Sequence, residues 1–376
     1  MDGPNYIALA VPYFFALIGV ELLVARAKRA RVYRLNDAVT DLSCGIGSQI
    51  VLLFWGAGQL AIYTAVYEHR VVTLPAWGAW LFAFVAVDFV YYWWHRWSHE
   101  VNFLWAAHVV HHQSEDYNLA VALRQAIVTS WTILPFHLPL ALLGVPTIVF
   151  ATIYSFSTLY QFWIHTQLVG KIRGPADWIL NLPSHHRVHH AINPEYLDKN
   201  YGATLIVWDR LFGTYEEEVA RPVYGITKPL ASFNPIWAQI HYWVELVEMS
   251  RRARGVDKLL VWVRSPAWHP PDAAAERDAE AAAAPPIADR AKFDPPLSGR
   301  TAMYVLAHYV LLVVAVFFLM LYQGALPMAV LALGGVAIVG TTLSIGAFLE
   351  HRRWGAVAEI ARLAIVAGAV VAWLRG

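Results

Sequence analysis

Apolar runs of about 20 residues constrain this chain more than any other feature, because that length crosses the hydrocarbon core of a bilayer as one helix. The first covers Tyr6 to Ala25, the second Leu42 to Val66, and the third Leu74 to Trp94. The stretch from Ile127 to Phe162 is equally apolar but is broken by Pro135, Pro139, Gly144 and Pro146. It reads as a helical hairpin that turns at Gly144–Val145–Pro146. Three more runs follow, Ala302 to Tyr322, Leu326 to Phe348 and Gly355 to Leu374. Hydrophobic residues make up 58% of the 376 and charged residues only 15%, an excess that a soluble core of this size cannot absorb. The expected fold is therefore all-α, a multi-pass helical membrane protein. The basic residues of the first segment follow its apolar run, unlike those of a signal peptide.

Positive charge on connecting loops orients such a chain. Lys28, Arg29, Arg31 and Arg34 follow the first run, and Lys171, Arg173, Arg187, Arg210, Arg251, Arg252 and Arg254 lie after the hairpin. With His351, Arg352 and Arg353, they predict that these loops are cytoplasmic. The stretch 265–300 is rich in Ala, Pro and charge and reads as a linker. It divides a core, 1–264, from a C-terminal helical bundle, 301–376. A net charge of +1 without a dominant basic block argues against nucleic-acid partners. The single cysteine, Cys44, excludes an internal disulfide and any metal site with several thiolates.

Histidine is what distinguishes the core. Eleven of the 16 histidines fall between His95 and His190. His95 and His99 are four apart, about 40° around a helix, so they share a face. His108, His111 and His112 are spaced i, i+3, i+4, and His186, His189 and His190 repeat that spacing. Each cluster is expected to aim two or three imidazoles at a common point on the cytosolic side. So many buried polar rings need partners, and a metal supplies one. Eight or more imidazoles exceed the needs of one ion, so two ions are expected. Zinc in structural sites prefers four ligands, commonly cysteine, and soluble di-iron bundles use mostly carboxylates. Spacing alone leaves the element open among iron, zinc, copper and nickel.

Other residues near the clusters have open roles. Asp88 lies on the helical face of His95 and is equally suited to hold a ligand imidazole or to pair with a neighbouring helix. Glu100 is open between a metal ligand, a partner to one, and a solvated charge. His165, just after the hairpin, offers a further ligand. His185 points about 100° from His186 and is open between ligation and support. Trp93, Trp94, Trp97, Trp105 and Trp163 are expected as anchors at the membrane interface.

These residues resemble a known family. DFVYYWWHRWSHEVNFLWAAHVVHHQSEDYNLAVALRQ (Asp88–Gln125), YQFWIHT (Tyr160–Thr166) and LNLPSHHRVHHAINPEYLDKNYGATLIVWDRLFGTY (Leu180–Tyr215) look like the fatty acid hydroxylase/sterol desaturase superfamily. The resemblance is closest to the alkylglycerol monooxygenases and their bacterial relatives. It implies an oxidoreductase with two iron ions that activate molecular oxygen to hydroxylate a lipid C–H bond. It also implies ligands at His95, His99, His108, His111, His112, His165, His185, His186, His189 and His190, with Glu100 at an acidic position of the family motif. In that branch the substrate is an ether lipid cleaved to aldehyde and glycerol, with tetrahydrobiopterin as electron donor, although no pterin-binding motif is readable here. The rival readings are a sterol or fatty acyl hydroxylase or desaturase, and a membrane metal-binding or transport protein. The implied location is a bacterial inner membrane or endoplasmic reticulum, with the site on the cytoplasmic side.

Overall fold

A computed structural model describes residues 6–271, 285–287 and 290–375, with side chains through residue 367. Among them every regular element is a helix, joined by loops that carry two isolated β-bridges, Leu180–Leu205 and Ala191–Tyr224. The long helices are α1 (Tyr6–Lys28), α2 (Leu35–Tyr67) and α3 (Ala76–Glu100). Short helices α4 (Asn102–Ala106) and α5 (Val109–His112) follow, then the hairpin α6 (Thr129–Leu142) and α7 (Thr147–Trp163). Next come α8 (Pro175–Ile179), α9 (Pro183–His189), α10 (Val207–Phe212), α11 (Pro235–Arg252) and α12 (Asp257–Val263). The chain closes with α13 (Gly299–Leu321), α14 (Met328–Leu349) and α15 (Arg353–Arg375).

Among the described residues, five helices, α1, α2, α3, α13 and α14, are long and apolar enough to cross a membrane. They fit a multi-pass membrane protein and match five of the runs read from the sequence. The last expected run, Gly355 to Leu374, falls in α15, whose final side chains lie outside the described residues. The hairpin also forms where Pro and Gly placed it. Gly144 turns the chain at φ 88°, and a Cβ there would stand 2.2 Å from the Val72 carbonyl oxygen, so only glycine fits. Val71 N–H donates to the Leu142 carbonyl at 2.8 Å, tying the hairpin tip to the α2–α3 loop.

Helix α2 is longer than a bilayer requires. Its 33 residues span about 50 Å against a hydrocarbon core of about 30 Å. The surplus lies at its start, where Asn36, Asp37, Thr40, Asp41 and Ser43 are buried. Polar side chains buried there need protein partners, and they find them in the histidine-bearing segment. Asp37 accepts from the Ser114 hydroxyl at 2.6 Å and the Asp116 N–H at 3.1 Å. Asp41 accepts from Arg124 Nη1 at 3.0 Å. One end of the bundle is thus a polar platform, and the histidines sit on it.

The C-terminal helices pack directly on this framework. Ala8 of α1, Ile46 and Ile50 of α2, Val305, Tyr309, Leu312 and Val316 of α13, and Ile338 and Ile345 of α14 share one apolar cluster. In the stretch read as a linker, residues 272–284 and 288–289 lie outside the described residues. Its far end is fastened to the platform: Arg34 Nη1 donates to the Phe293 carbonyl at 2.8 Å, and Lys292 Nζ pairs with Asp116 at 2.5 Å.

Candidate metal centre

Nine buried or nearly buried imidazoles gather in two adjacent groups. His95, His99, His108, His112 and His189 form the first, and His111, His165, His186 and His190 the second. Within each group one ring nitrogen per residue lies within 4.8 Å of all the others. The groups touch: the rings of His112 and His190 stack with centroids 4.4 Å apart.

The expectation that each cluster serves one point is corrected here. His108 and His112, at i and i+4, go to the first group while His111 goes to the second. His186 and His190 go to the second while His189 goes to the first. Helical geometry is the cause. An i, i+4 pair is about 40° apart, but adjacent residues diverge by about 100°, so His111 cannot follow His112, nor His189 follow His190. Each i, i+3, i+4 box therefore straddles both groups, and the two boxes do so in opposite senses.

Backbone carbonyls set the tautomers. His95 Nδ1–H donates to the Tyr201 carbonyl at 2.7 Å, and His111 Nδ1–H to that of Arg124 at 2.9 Å. His165 Nδ1–H donates to the Gln161 carbonyl at 2.7 Å and His189 Nδ1–H to that of Lys199 at 3.0 Å. A carbonyl only accepts, so Nδ1 carries the proton in all four rings and Nε2 presents a lone pair. His111 Nε2 and His165 Nε2 nevertheless face each other at 3.2 Å. Two lone pairs at that distance repel unless a cation lies between them. A proton is a poor candidate, because burial pushes His111 down to about 4 and His165 well below the ordinary histidine range. A metal ion fits.

Other atoms agree. His99 Nε2 and His189 Nε2 are buried without a hydrogen-bond partner, which is costly unless they ligate. His95 Nε2 and His186 Nε2 each stand 3.0 Å from a neighbouring Nε2, on His108 and His165 respectively. For a metal–nitrogen bond of about 2.1 Å, nitrogens at right angles lie about 3.0 Å apart and tetrahedral ones about 3.4 Å. Five nitrogens in the first group also exceed a four-coordinate shell. Burial holds His108, His112, His186, His189 and His190 well below the usual range too, so all are neutral and able to ligate at pH 7.

Three expected site residues are not brought into either group. His185 uses both ring nitrogens elsewhere: Nδ1 accepts from Leu182 N–H at 3.2 Å and Nε2 lies 2.9 Å from Asp177. Glu100 accepts from Arg96 Nε at 2.9 Å at the partly exposed end of α3. The carboxylate nearest His99 is instead Asp198, 4.0 Å away. Asp88 holds no imidazole directly. It accepts from Thr204 N–H, Leu205 N–H and Trp208 Nε1 at 2.8, 3.2 and 2.9 Å. That fastens the loop whose Tyr201 carbonyl orients His95. Asp209 braces the same loop from the other side, accepting from Tyr201 N–H at 2.7 Å and Gly202 N–H at 2.8 Å. Trp94 is not an interface anchor: it is buried, donates to Thr132 Oγ1 at 3.3 Å, and packs edge-on to His108. Asp198, Asp209 and the four carbonyls escaped sequence reasoning, since a carbonyl has no residue signature.

Among the described residues, a helical fold with five helices able to cross a membrane brings nine buried or nearly buried imidazoles into two touching groups, with no carboxylate in either, and each group could hold a metal ion. A family model described as fatty acid hydroxylase matches residues 80–214, which hold all nine. An alkylglycerol monooxygenase of Xenopus tropicalis is 38% identical over 367 residues, covering 96% of this chain and 81% of that protein. That of Danio rerio is 38% identical over 373 residues, covering 97% and 82%. That of Homo sapiens is 42% identical over 275 residues, covering 72% and 61%. The chain belongs to the alkylglycerol monooxygenase family, within the fatty acid hydroxylases. It is accordingly an oxidoreductase of the monooxygenase class. No solved structure matches it.

Proposed function

We propose that this protein is an iron-dependent monooxygenase that hydroxylates an alkylglycerol at the carbon next to its ether oxygen, using molecular oxygen. One observation carries the substrate class. A cavity of about 180 Å³ reaches His108 and His111, one imidazole from each group, and its wall is largely apolar. A cavity of about 150 Å³ lined by aliphatic groups already stays dry and accepts apolar ligands. Hydrocarbon is thus the natural occupant, presented to both groups at once. Polar side chains also line it, Tyr91, Gln49, Gln125 and Gln161, with the Tyr91 ring 5.3 Å from that of His95. They suit ether and hydroxyl oxygens at the head of the lipid.

Two iron ions, held by the five and the four histidines, would supply oxygen activation. The chain's own contribution is placement. Carbonyls of Tyr201, Arg124, Gln161 and Lys199 keep Nε2 free on four ligands, and the apolar wall excludes water. One oxygen atom enters the C–H bond; the other leaves as water with two electrons and two protons from a tetrahydropterin, which becomes a dihydropterin, by analogy with the family. The resulting hemiacetal breaks its C–O bond to give a fatty aldehyde and glycerol. The site is placed on the cytoplasmic side, a reading supported by the basic α1–α2 loop beside it. Lys28 Nζ donates to the Leu168 carbonyl at 3.2 Å, and Arg34 Nε to Asp116 at 3.0 Å.

Purified protein given oxygen, a tetrahydropterin and an alkylglycerol is expected to release one fatty aldehyde per oxygen consumed. Turnover of a sterol or a free fatty acid in place of the alkylglycerol would overturn the substrate assignment. Absence of oxygen uptake with every lipid would overturn the monooxygenase reading.

A further inference from the structure

The cavity is not enclosed by the histidine-bearing core alone. Val313, Val316 and Met320 of α13 line it, together with Ile7, Val11 and Phe14 of α1. The three α13 residues stand at i, i+3 and i+7, one face of a helix, and Val316 and Met320 are buried. Leu311 and Val314, on other faces, are exposed.

The depth of these residues follows from helix length. Helix α13 starts at Gly299, six residues after Phe293 meets the polar platform through Glu115 at 2.8 Å. Met320 lies about 30 Å further along the helix. On α1, Ile7 is likewise about 30 Å from Lys28, which is bonded beside His165 through Leu168. Tyr309 meets Ser43 at 3.2 Å, close to the level of Gly45 and of the Leu123 carbonyl beside the histidines, and Glu21 of α1 accepts from Leu119 N–H at 2.9 Å. Counted from there, Val316 and Met320 lie about 7 and 13 Å beyond the imidazoles and Val11 and Ile7 about 15 and 21 Å, so these four line the remote end of the cavity, with Val313 nearer the site.

We propose that α13 is the chain-length selector of the enzyme: Val316 and Met320 form the wall against which the far end of the substrate's alkyl chain lies. The inference rests on the lipid-monooxygenase reading and extends it to a helix outside the histidine-bearing segment. A lipid whose reacting carbon sits at His108 and His111 must lay its remaining chain along this wall. Bulk on the wall then penalises long chains, and space on it favours them.

The test is competitive turnover of a mixture of alkylglycerols of graded chain length, read as aldehydes by mass spectrometry. Val316→Trp is expected to lower the long-to-short ratio of kcat/KM at least about tenfold, the scale on which hydrophobic pockets discriminate small volume changes. Met320→Ala is expected to raise that ratio, and it keeps the question answerable if the tryptophan variant does not fold. Leu311→Trp, on the exposed face, is expected to leave the ratio at the wild-type value. The chain lengths retained by metal-depleted protein from the same mixture should shift in parallel, without turnover. Unchanged ratios in Val316→Trp and Met320→Ala, with the wild type active, would overturn the inference alone. A wild type that neither retains nor oxidises any alkylglycerol would overturn the functional reading beneath it.

Discussion

Replacing His189 or His111 with alanine lowers turnover by on the order of a thousandfold or more, and metal content falls to one ion per chain or fewer. Each substitution removes one nitrogen from a different group, because each residue is the i+3 member of its box. Both rings are fixed in advance, His189 through the Lys199 carbonyl and His111 through that of Arg124. Neither loss can be made good by a neighbour: the other imidazoles are committed, and among the described residues neither group contains a carboxylate. Metal analysis beside the aldehyde assay checks this. His185→Ala is the informative contrast. Both nitrogens of that ring are engaged with Leu182 and Asp177, so its removal is expected to leave metal content intact. Full metal and turnover in His189→Ala would refute the grouping.

Arg124→Ala is expected to destabilise the fold by about 3–5 kcal/mol, the range for breaking a buried ion pair from one side. Arg124 and Asp41 are both fully enclosed, 2% and 0% exposed at the side chain, and their atoms meet at 3.0 Å. Arg124 Nε also donates to the Val110 carbonyl at 2.6 Å, and Nη2 donates to Gln113 Oε1 at 2.5 Å. Without the guanidinium, Asp41 is left as a buried carboxylate with no counter-charge. The effect reaches the metal centre, because the carbonyl of this same residue orients His111. Thermal unfolding in detergent should show the lost stability, with weakened metal retention in the second group. The double variant Arg124→Met, Asp41→Leu is expected to recover part of the stability, since it removes the stranded charge. Equal unfolding temperatures for wild type and Arg124→Ala would contradict this account.

These two cases show what a sequence reveals and what it withholds. Membrane helices declare themselves locally: their length is set by bilayer thickness, and the hairpin turn by Gly144 and Pro146. The histidine clusters are equally local, because spacings of three and four place rings on one side of a helix. The division of the boxes between two groups was partly open to reading, since His111 and His112, being consecutive, diverge by about 100°. Pairing across the chain is not local. Nothing near Arg124 in sequence indicates that Asp41 will meet it 83 positions away, nor that Asp88 will hold the Thr204–Leu205 turn rather than an imidazole. Carbonyl oxygens are chemically identical along the chain, so the four that set the tautomers are visible only after folding. The wall that α13 contributes to the cavity depends on packing across more than 200 residues.

Metal analysis of the purified wild-type protein, combined with Mössbauer spectroscopy, tests the central claim most directly. Nine imidazoles in two touching groups predict two metal ions per chain in neighbouring, nitrogen-rich sites, and the proposed monooxygenase function requires that both be iron. A single ion per chain, or two zinc ions in protein that consumes no oxygen with any lipid, would contradict it.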